Sequence, residues 1–253
     1  MLFEKGEIDL FIGYEKGTTR PRPFFVKTTE EAERLIFNAE CSGNLAVYLT
    51  HKDLVGGKKV GVSASYFALR SMVQLFKENQ LNKDLLRIFT VDDHGQLIEF
   101  ETVEAISEYL NNTPAPTHPE ALALLDQIKA MNRQERWEFW QDEFSKCFKC
   151  YACRAACPLC YCTKCIVEEN RPQWIQPWAN AVSNMEWQIS RVMHLVGRCS
   201  GCGACGAACP VGIPIQLFNR YVSEIAKEEF GERPEKGNIL STFKPEDHET
   251  FIG

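Results

Sequence analysis

No stretch of this 253-residue chain approaches the 18 or more consecutive apolar residues of a membrane span. There is no basic excess either. Lys and Arg total 28 against 34 Asp and Glu, a formal net charge of −6, which argues against a broad electrostatic footprint for nucleic acid. No G-x-G-x-x-G or P-loop pattern occurs, and Gly56-Gly57 before Lys58-Lys59 opens no nucleotide fingerprint. The opening MLFEKGEIDLF carries Glu4, Glu7 and Asp9 where a signal peptide would have a basic region and an apolar core, so the expected location is the cytoplasm. Cysteine is nearly missing from the first 146 residues, where Cys41 stands alone.

The remaining eleven of the twelve cysteines fall between Cys147 and Cys209. At about 5% of residues they are too few for a disulfide scaffold, and such clustering without a secretion signal points to metal chemistry in a reducing compartment. With 45% hydrophobic and 25% charged residues the chain has a core to build and is not disordered. Its length fits one large domain or two modest ones.

Residues 1–112 read as a small α/β domain. Apolar runs at Ile8–Ile12, Phe24–Val26, Leu45–Leu49, Val60–Val62 and Leu85–Val91 predict strands, most of them parallel if crossovers join them. Helices are expected over Thr29–Phe37, with Thr28 and Glu31 as a capping box, over Ser65–Glu78, and over Val103–Leu110. In Ser65–Glu78, residues Phe67, Met72, Leu75 and Phe76 share a stripe. Residues 113–145 form a proline-rich linker, within NNTPAPTHP, and a connecting helical stretch from Glu120 to Phe144 entered at Pro119. Residues 146–231 read as an α-helical ferredoxin-type domain, with helices over Met185–Val196 and Ile215–Phe230, and residues 232–253 as a polar tail.

Two copies of one pattern carry the chemistry. Cys147-x2-Cys150-x2-Cys153-x3-Cys157-Pro158 is repeated as Cys199-x2-Cys202-x2-Cys205-x3-Cys209-Pro210, the bacterial ferredoxin run for [4Fe–4S] clusters. Three thiolates two residues apart wrap three irons of a cube, while the fourth points away and ligates the other cluster. The expected sets are therefore Cys147, Cys150, Cys153 and Cys209 for the first cluster, and Cys199, Cys202, Cys205 and Cys157 for the second. Structural zinc also uses C-x2-C pairs, but ribbons seldom run three cysteines at this spacing, still less twice with Cys-Pro endings. The small residues Gly201, Gly203, Ala204, Gly206, Ala207 and Ala208 let amides approach cluster sulfurs. Cys160, Cys162 and Cys165 follow at once, and with Cys41 complete a further four. They read as a third [4Fe–4S] cluster, a zinc site, or packed thiols.

The 41 residues between Cys157 and Cys199, with helices before and between the motifs, resemble the α-helical ferredoxin domains in the iron–sulfur subunits of succinate dehydrogenase and of heterodisulfide reductase. That resemblance implies a one-electron relay. The N-terminal segments IDLFIGYEKG, RPFFVKTTEEAERLIFNAECSGNLAVYL and KKVGVSASYFALRSMVQLFKENQ resemble beta subunits of deazaflavin-dependent hydrogenase and dehydrogenase complexes. With CFKCYACRAACPLCYCTKC and GRCSGCGACGAACPVGIP the similarity covers most of residues 7–216. The resemblance implies flavoprotein, hydrogenase or dehydrogenase, and heterodisulfide-reductase-like partner subunits. In one respect the chain departs from that family. Ser63-Ala64-Ser65-Tyr66-Phe67 and Thr90-Val91-Asp92-Asp93 lack cysteines that the family carries there, which favours a docking scaffold over a catalytic site in the α/β domain.

Elsewhere the plainer reading holds. Asp92, Asp93 and His94 fit a turn around Gly95 better than a metal site, and His194 a solvated helix position. Trp174, Trp178 and Trp187 read as packing around the clusters. Lys149, Arg154 and Arg198, beside ligand cysteines, read either as solvated charge or as cations acting on a cluster or an acidic partner. The expected function is electron transfer inside an anaerobic oxidoreductase complex; the alternative puts a flavin or deazaflavin in the α/β domain. Anaerobically isolated protein is expected to be brown, to bleach on reduction and to carry about eight irons from two cubes. A count of about twelve would add the third cluster, and bound zinc would put zinc at those cysteines.

Overall fold

The computed structural model describes residues 2–92, 94–165, 172 and 175–231. The N-terminal part is a mixed sheet of β1 (Leu10–Glu15), β2 (Arg22–Val26), β3 (Leu35–Ile36), β4 (Val60–Ser63), β5 (Leu86–Val91) and β6 (Leu97–Phe100). Strand order is β2-β1-β4-β5-β6, with β3 also pairing β1. Only β1, β4 and β5 run parallel. The edges are antiparallel because their connections, residues 16–21 and 92–96, are too short for a crossover.

Helix α1 (Lys52–Val55) precedes β4, and α2 (Tyr66–Lys77) lies between β4 and β5. The α2 stripe is more aliphatic than the sequence suggested: Ala68, Leu69, Met72, Val73 and Leu75 are buried, whereas Phe67 and Phe76 are half-buried. The helix ends in a Schellman motif. Asn79 adopts φ +54°, its N–H reaches the Phe76 carbonyl (3.0 Å), and the Gln80 N–H reaches Leu75 (2.9 Å).

Two expected elements have other conformations. Leu45–Thr50 is a 3-10 helix, because the Asn44 side chain accepts from the Ala46 N–H at 3.2 Å and starts a turn. A short apolar run does not distinguish the two by periodicity. Thr28 does accept from the Glu31 N–H (3.4 Å), but only one 3-10 turn, Glu31–Arg34, follows. Leu35 and Ile36 are then drawn into the sheet opposite Glu15 and Tyr14, and Arg34 pairs with Glu15.

Helix α3 (Val103–Asn112) is capped by Thr102, whose Oγ1 accepts from Ala105 N–H at 3.0 Å. Glu120–Phe144 is two helices, α4 (Pro119–Ala130) and α5 (Arg133–Ser145). The break is an Asn132/Glu135 capping box, whose reciprocal bonds start a new helix in the midst of a continuous apolar pattern. The cysteine region holds α6 (Ala152–Ala155), α7 (Ala181–Met193), α8 (Ala204–Ala207) and α9 (Ile215–Phe230). Among the described residues no helix is long and apolar enough to cross a membrane.

Two cores result. One joins the sheet, α2 and α3, and also takes in Leu159 and Leu195 from the cysteine region, with Cys157, Cys160 and Cys199 against it. The other packs Leu125, Ile128, Trp140, Phe144, Trp187, Ile213 and Leu217 around Cys153 and Cys205. Leu69 is fully buried in the first core, so Leu69→Ala should cost about 2–5 kcal/mol, read from the urea midpoint under anaerobic conditions. A loss below about 1 kcal/mol would contradict that packing.

Candidate metal centres

The two motifs fold as the same local device. In the first, Lys149 and Tyr151 adopt φ of +56° and +59°; in the second, Gly201 and Gly203 adopt +79° and +73° at the matching positions. Each left-handed pair turns the chain back so that three thiols face inward, and α6 and α8 then follow as matching single turns. A side chain in that conformation costs about 1–2 kcal/mol, which Gly avoids. Packing offsets the cost in the first loop. Lys149 is 7% exposed, and its ammonium donates to Ser183 Oγ (2.8 Å) and to the Gln176 carbonyl, while Tyr151 meets Trp187 edge-on at 5.1 Å.

Cys147, Cys150, Cys153 and Cys209 line one cavity, closed by Tyr151, Trp187, Gln188, Pro210 and Ile213. Burial raises the Cys153 pKa, Arg191 opposes the rise, and Cys147, Cys150 and Cys209 act on it through space. The second group is assembled the same way. Cys205 is driven far up by burial, offset by Arg191, with Cys157, Cys199 and Cys202 as its charged neighbours. Each last cysteine thus lies with the opposite triplet.

Donors converge on these sulfurs. The Lys149 N–H reaches Cys147 Sγ and the Ile213 N–H reaches Cys209 Sγ, both at 3.4 Å. Gln188 Nε2 lies 3.7 Å from Cys147 Sγ, and Asn219 Nδ2 lies 3.8 Å from Cys205 Sγ. Burial also raises Cys202, opposed by hydrogen bonds from Asn44, Ala204 and Ser200.

The buried side of helix α7 is mixed. It carries Ser183, Asn184, Gln188 and Arg191 beside Trp187 and Val192, while Val182, Ile189 and Met193 are exposed. Arg191 is 3% exposed, and its Nε and Nη1 find no protein partner among the described residues. A buried cation with orphaned donors among thiols fits a negatively charged cluster, since burying such a group otherwise costs several kcal/mol. Among the described residues no three His, Cys, Asp or Glu side chains converge as a single ion would require, whereas the first four thiols surround a cavity.

The α/β domain grips the second motif directly. Asn44 Nδ2 donates to Ser71 Oγ at 2.9 Å, and Ser71 Oγ lies 2.9 Å from Ser200 Oγ. At the end of α2, Glu78 receives Arg198 Nε (2.5 Å) and Nη2 (2.6 Å), Tyr161 Oη (2.8 Å) and Gln74 Nε2 (2.5 Å). Burial pushes the Glu78 carboxyl up, but these donors outweigh it and hold the group below its usual value.

The cysteines outside the two motifs are Cys41, Cys160, Cys162 and Cys165. Cys160 shares a sulfur hydrogen bond with Cys157, which raises Cys157 and lowers Cys160. Cys157, Cys160 and Cys162 line one cleft, and Cys165 acts on Cys160 through space. Cys41 is 4% exposed in the first core; its sulfur accepts from Asn38 N–H (3.4 Å) and bonds the Asn38 side chain (3.6 Å).

Asp92 accepts from His94 and Gln96 N–H groups in the turn expected there, and His194 is exposed at the end of α7. Asp93 and Trp174 lie outside the described residues. Trp187 is buried, but Trp178 is 61% exposed, because its loop precedes α7 on the outer side. Lys149, Arg154 and Arg198 bond protein groups rather than standing as solvated charge, with Arg154 Nη2 donating to the Cys162 carbonyl at 2.9 Å. Arg191, Asn44, Ser71, Glu78, Gln188 and Asn219 escaped the sequence analysis. The polar residues Ser183, Asn184, Gln188 and Arg191 on one helical face were the available signal.

The 4Fe-4S dicluster domain family matches residues 143–213. The F420-dependent formate dehydrogenase subunit beta of Methanocaldococcus jannaschii is 34% identical over 86 residues, which span 33% of this chain and 22% of that protein. The region is an iron–sulfur domain of the electron-transfer type.

Replacing Glu78 with Gln should destabilise the folded protein at neutral pH by about 1–2 kcal/mol. Because the folded-state pKa is depressed, this stabilisation is present above the usual value near 4.5 and is lost as pH falls through the lower native one. Urea unfolding of both forms across that range should show the difference shrinking with acid. A constant difference would mean that the carboxylate charge is not what matters.

Proposed function

We propose that this chain is an electron-transfer subunit of an anaerobic, cytoplasmic, multi-subunit oxidoreductase, relaying single electrons between partner subunits. The observation that carries the reading is the crossed grouping of thiols, with Cys209 beside Cys147, Cys150 and Cys153, and Cys157 beside Cys199, Cys202 and Cys205. These are the proposed ligand sets of two clusters. When bound, each cube supplies a reversible one-electron site whose potential follows charge, sulfur hydrogen bonds and burial. The protein's own residues do the rest. The left-handed loops aim the thiols, Gln188, Asn219 and Asn44 donate toward sulfur, and the two cores exclude water.

The first centre has a route to the surface. Cys150 is exposed and stands beside Phe148, which is 55% exposed. An edge of this kind suits exchange with a docked protein, as expected for a chain similar to part of a dehydrogenase beta subunit. Residues 1–112 then serve as a scaffold that fixes the second motif, through Ser71 to Ser200 and Glu78 to Arg198. The partners are proposed to be flavoprotein, hydrogenase or dehydrogenase, or heterodisulfide-reductase-like subunits.

A second reading has its own support. A cleft of about 700 Å³ opens against Cys202 and the Gly203–Ala208 turn, lined from the other side by Arg20, Tyr48, His51 and His118. A flavin or deazaflavin seated there would exchange two-electron for one-electron equivalents next to the second centre. An absorption band from extracted flavin would favour this reading over the simple relay. For Cys160, Cys162 and Cys165, the contact between Cys160 and Cys157 favours thiols packed beside the second cluster over a third [4Fe–4S] cluster or zinc with Cys41.

Cys202→Ala is expected to lose about half of the iron and to block through-transfer between a chemical reductant and the acceptor protein. Full iron content with undiminished transfer in that variant would overturn the ligand assignment.

A further inference from the structure

We propose that Arg191 is a counter-ion shared by both iron–sulfur centres, its single guanidinium buried within reach of thiols from both cysteine quartets. The inference rests on the two-cluster reading above and assigns the chain a potential-setting residue that no ferredoxin motif contains. Arg191 lies on the inward face of α7 and is 3% exposed. Its Nη2 donates to the Cys153 carbonyl at 2.9 Å, in the first motif. Its Nε and Nη1 have no protein acceptor among the described residues. The negative neighbours that act on it are Cys205, Cys157, Cys153 and Cys160. Cys153 belongs to one quartet, Cys157 and Cys205 to the other, so one cation touches the field of both.

Guanidinium carries its charge at every pH a protein survives and cannot shed it to escape burial. Two free donors in a dry site therefore call for acceptors that remain negative in every working state, and cluster and thiolate sulfur supply them. Adding an electron makes a centre more negative. A cation held close favours that reduced form, so it raises the potential of each centre. Arg191 thus acts as a positioning and electrostatic residue for both halves of the relay.

The test uses the full chain, isolated anaerobically, with Arg191→Gln and Arg191→Lys. Iron per chain and EPR-monitored redox titrations are read for each. In the Gln variant both midpoint potentials should move to more negative values, while the Lys variant should stay close to the unaltered protein. Unchanged potentials at full iron content, or movement of only one, would overturn the proposal. If the Gln variant fails to retain iron, unaltered chain labelled with 15N-arginine decides the matter. Pulsed EPR of the reduced protein should show weak nitrogen coupling on both cluster signals, absent from the Lys variant, and its absence from the unaltered chain would again overturn the shared role. Failure of the two-cluster reading itself would look different, since the unaltered chain would then carry no reduced-cubane signal at all.

Discussion

In the proposed two-centre reading, eight sulfurs become negative in two small, largely enclosed spaces. That electrostatic demand organises the C-terminal half and part of the N-terminal half. Burial first, and neighbouring cysteines after it, raise the Cys153, Cys202 and Cys205 thiols and favour their protonated forms. Ligation must expel those protons, and metal affinity is to that extent paid for by the fold around it. The compensation comes from directed N–H groups, from Asn and Gln amides, and from one buried guanidinium. The polar residues on the inner side of α7 answer the same demand. Trp187 and Val192 pack into the core, while Gln188 and Arg191 are turned toward the thiols.

The second consequence concerns the sheet. Leu159 and Leu195 complete its hydrophobic core, and Cys157 and Cys199 rest against it. The α/β part is therefore one wall of the second centre. Its polar contributions, Asn44, Ser71 and Glu78, come from a turn and a helix whose positions the parallel strands β1, β4 and β5 fix. A change in the strand register would be felt at Ser200 and Arg198.

Much of this was legible in the residues. The doubled cysteine spacing led to the proposed pairing of Cys209 with the first triplet, and the four thiols line one cavity. Helix α2 was visible from 3.6-residue periodicity and the start of α4 from Pro119, while α3 and α9 stand where helices were expected. Other features were hidden for identifiable reasons. The Leu45–Thr50 turn depends on one Asn44 side-chain bond, and the split between α4 and α5 on the Asn132 box, neither of which interrupts the apolar pattern. The antiparallel edges follow from loop length rather than from strand composition. Arg191 was passed over because a lone arginine within a helix ordinarily faces solvent. Only the company of Ser183, Asn184 and Gln188 on its own face marks it as turned inward.

In the proposed ligand sets the two triplets exchange their final cysteines, and on that reading the exchange also bears on how the molecule is made. During synthesis Cys147, Cys150 and Cys153 leave the ribosome well before Cys209, so the earlier site stays one ligand short until the later motif has emerged. Cys157, by contrast, waits ready for the second triplet. An order of maturation is thereby written into the chain: the site completed from the most distant parts closes last, and a truncated nascent product has no way to retain a finished pair of cofactors.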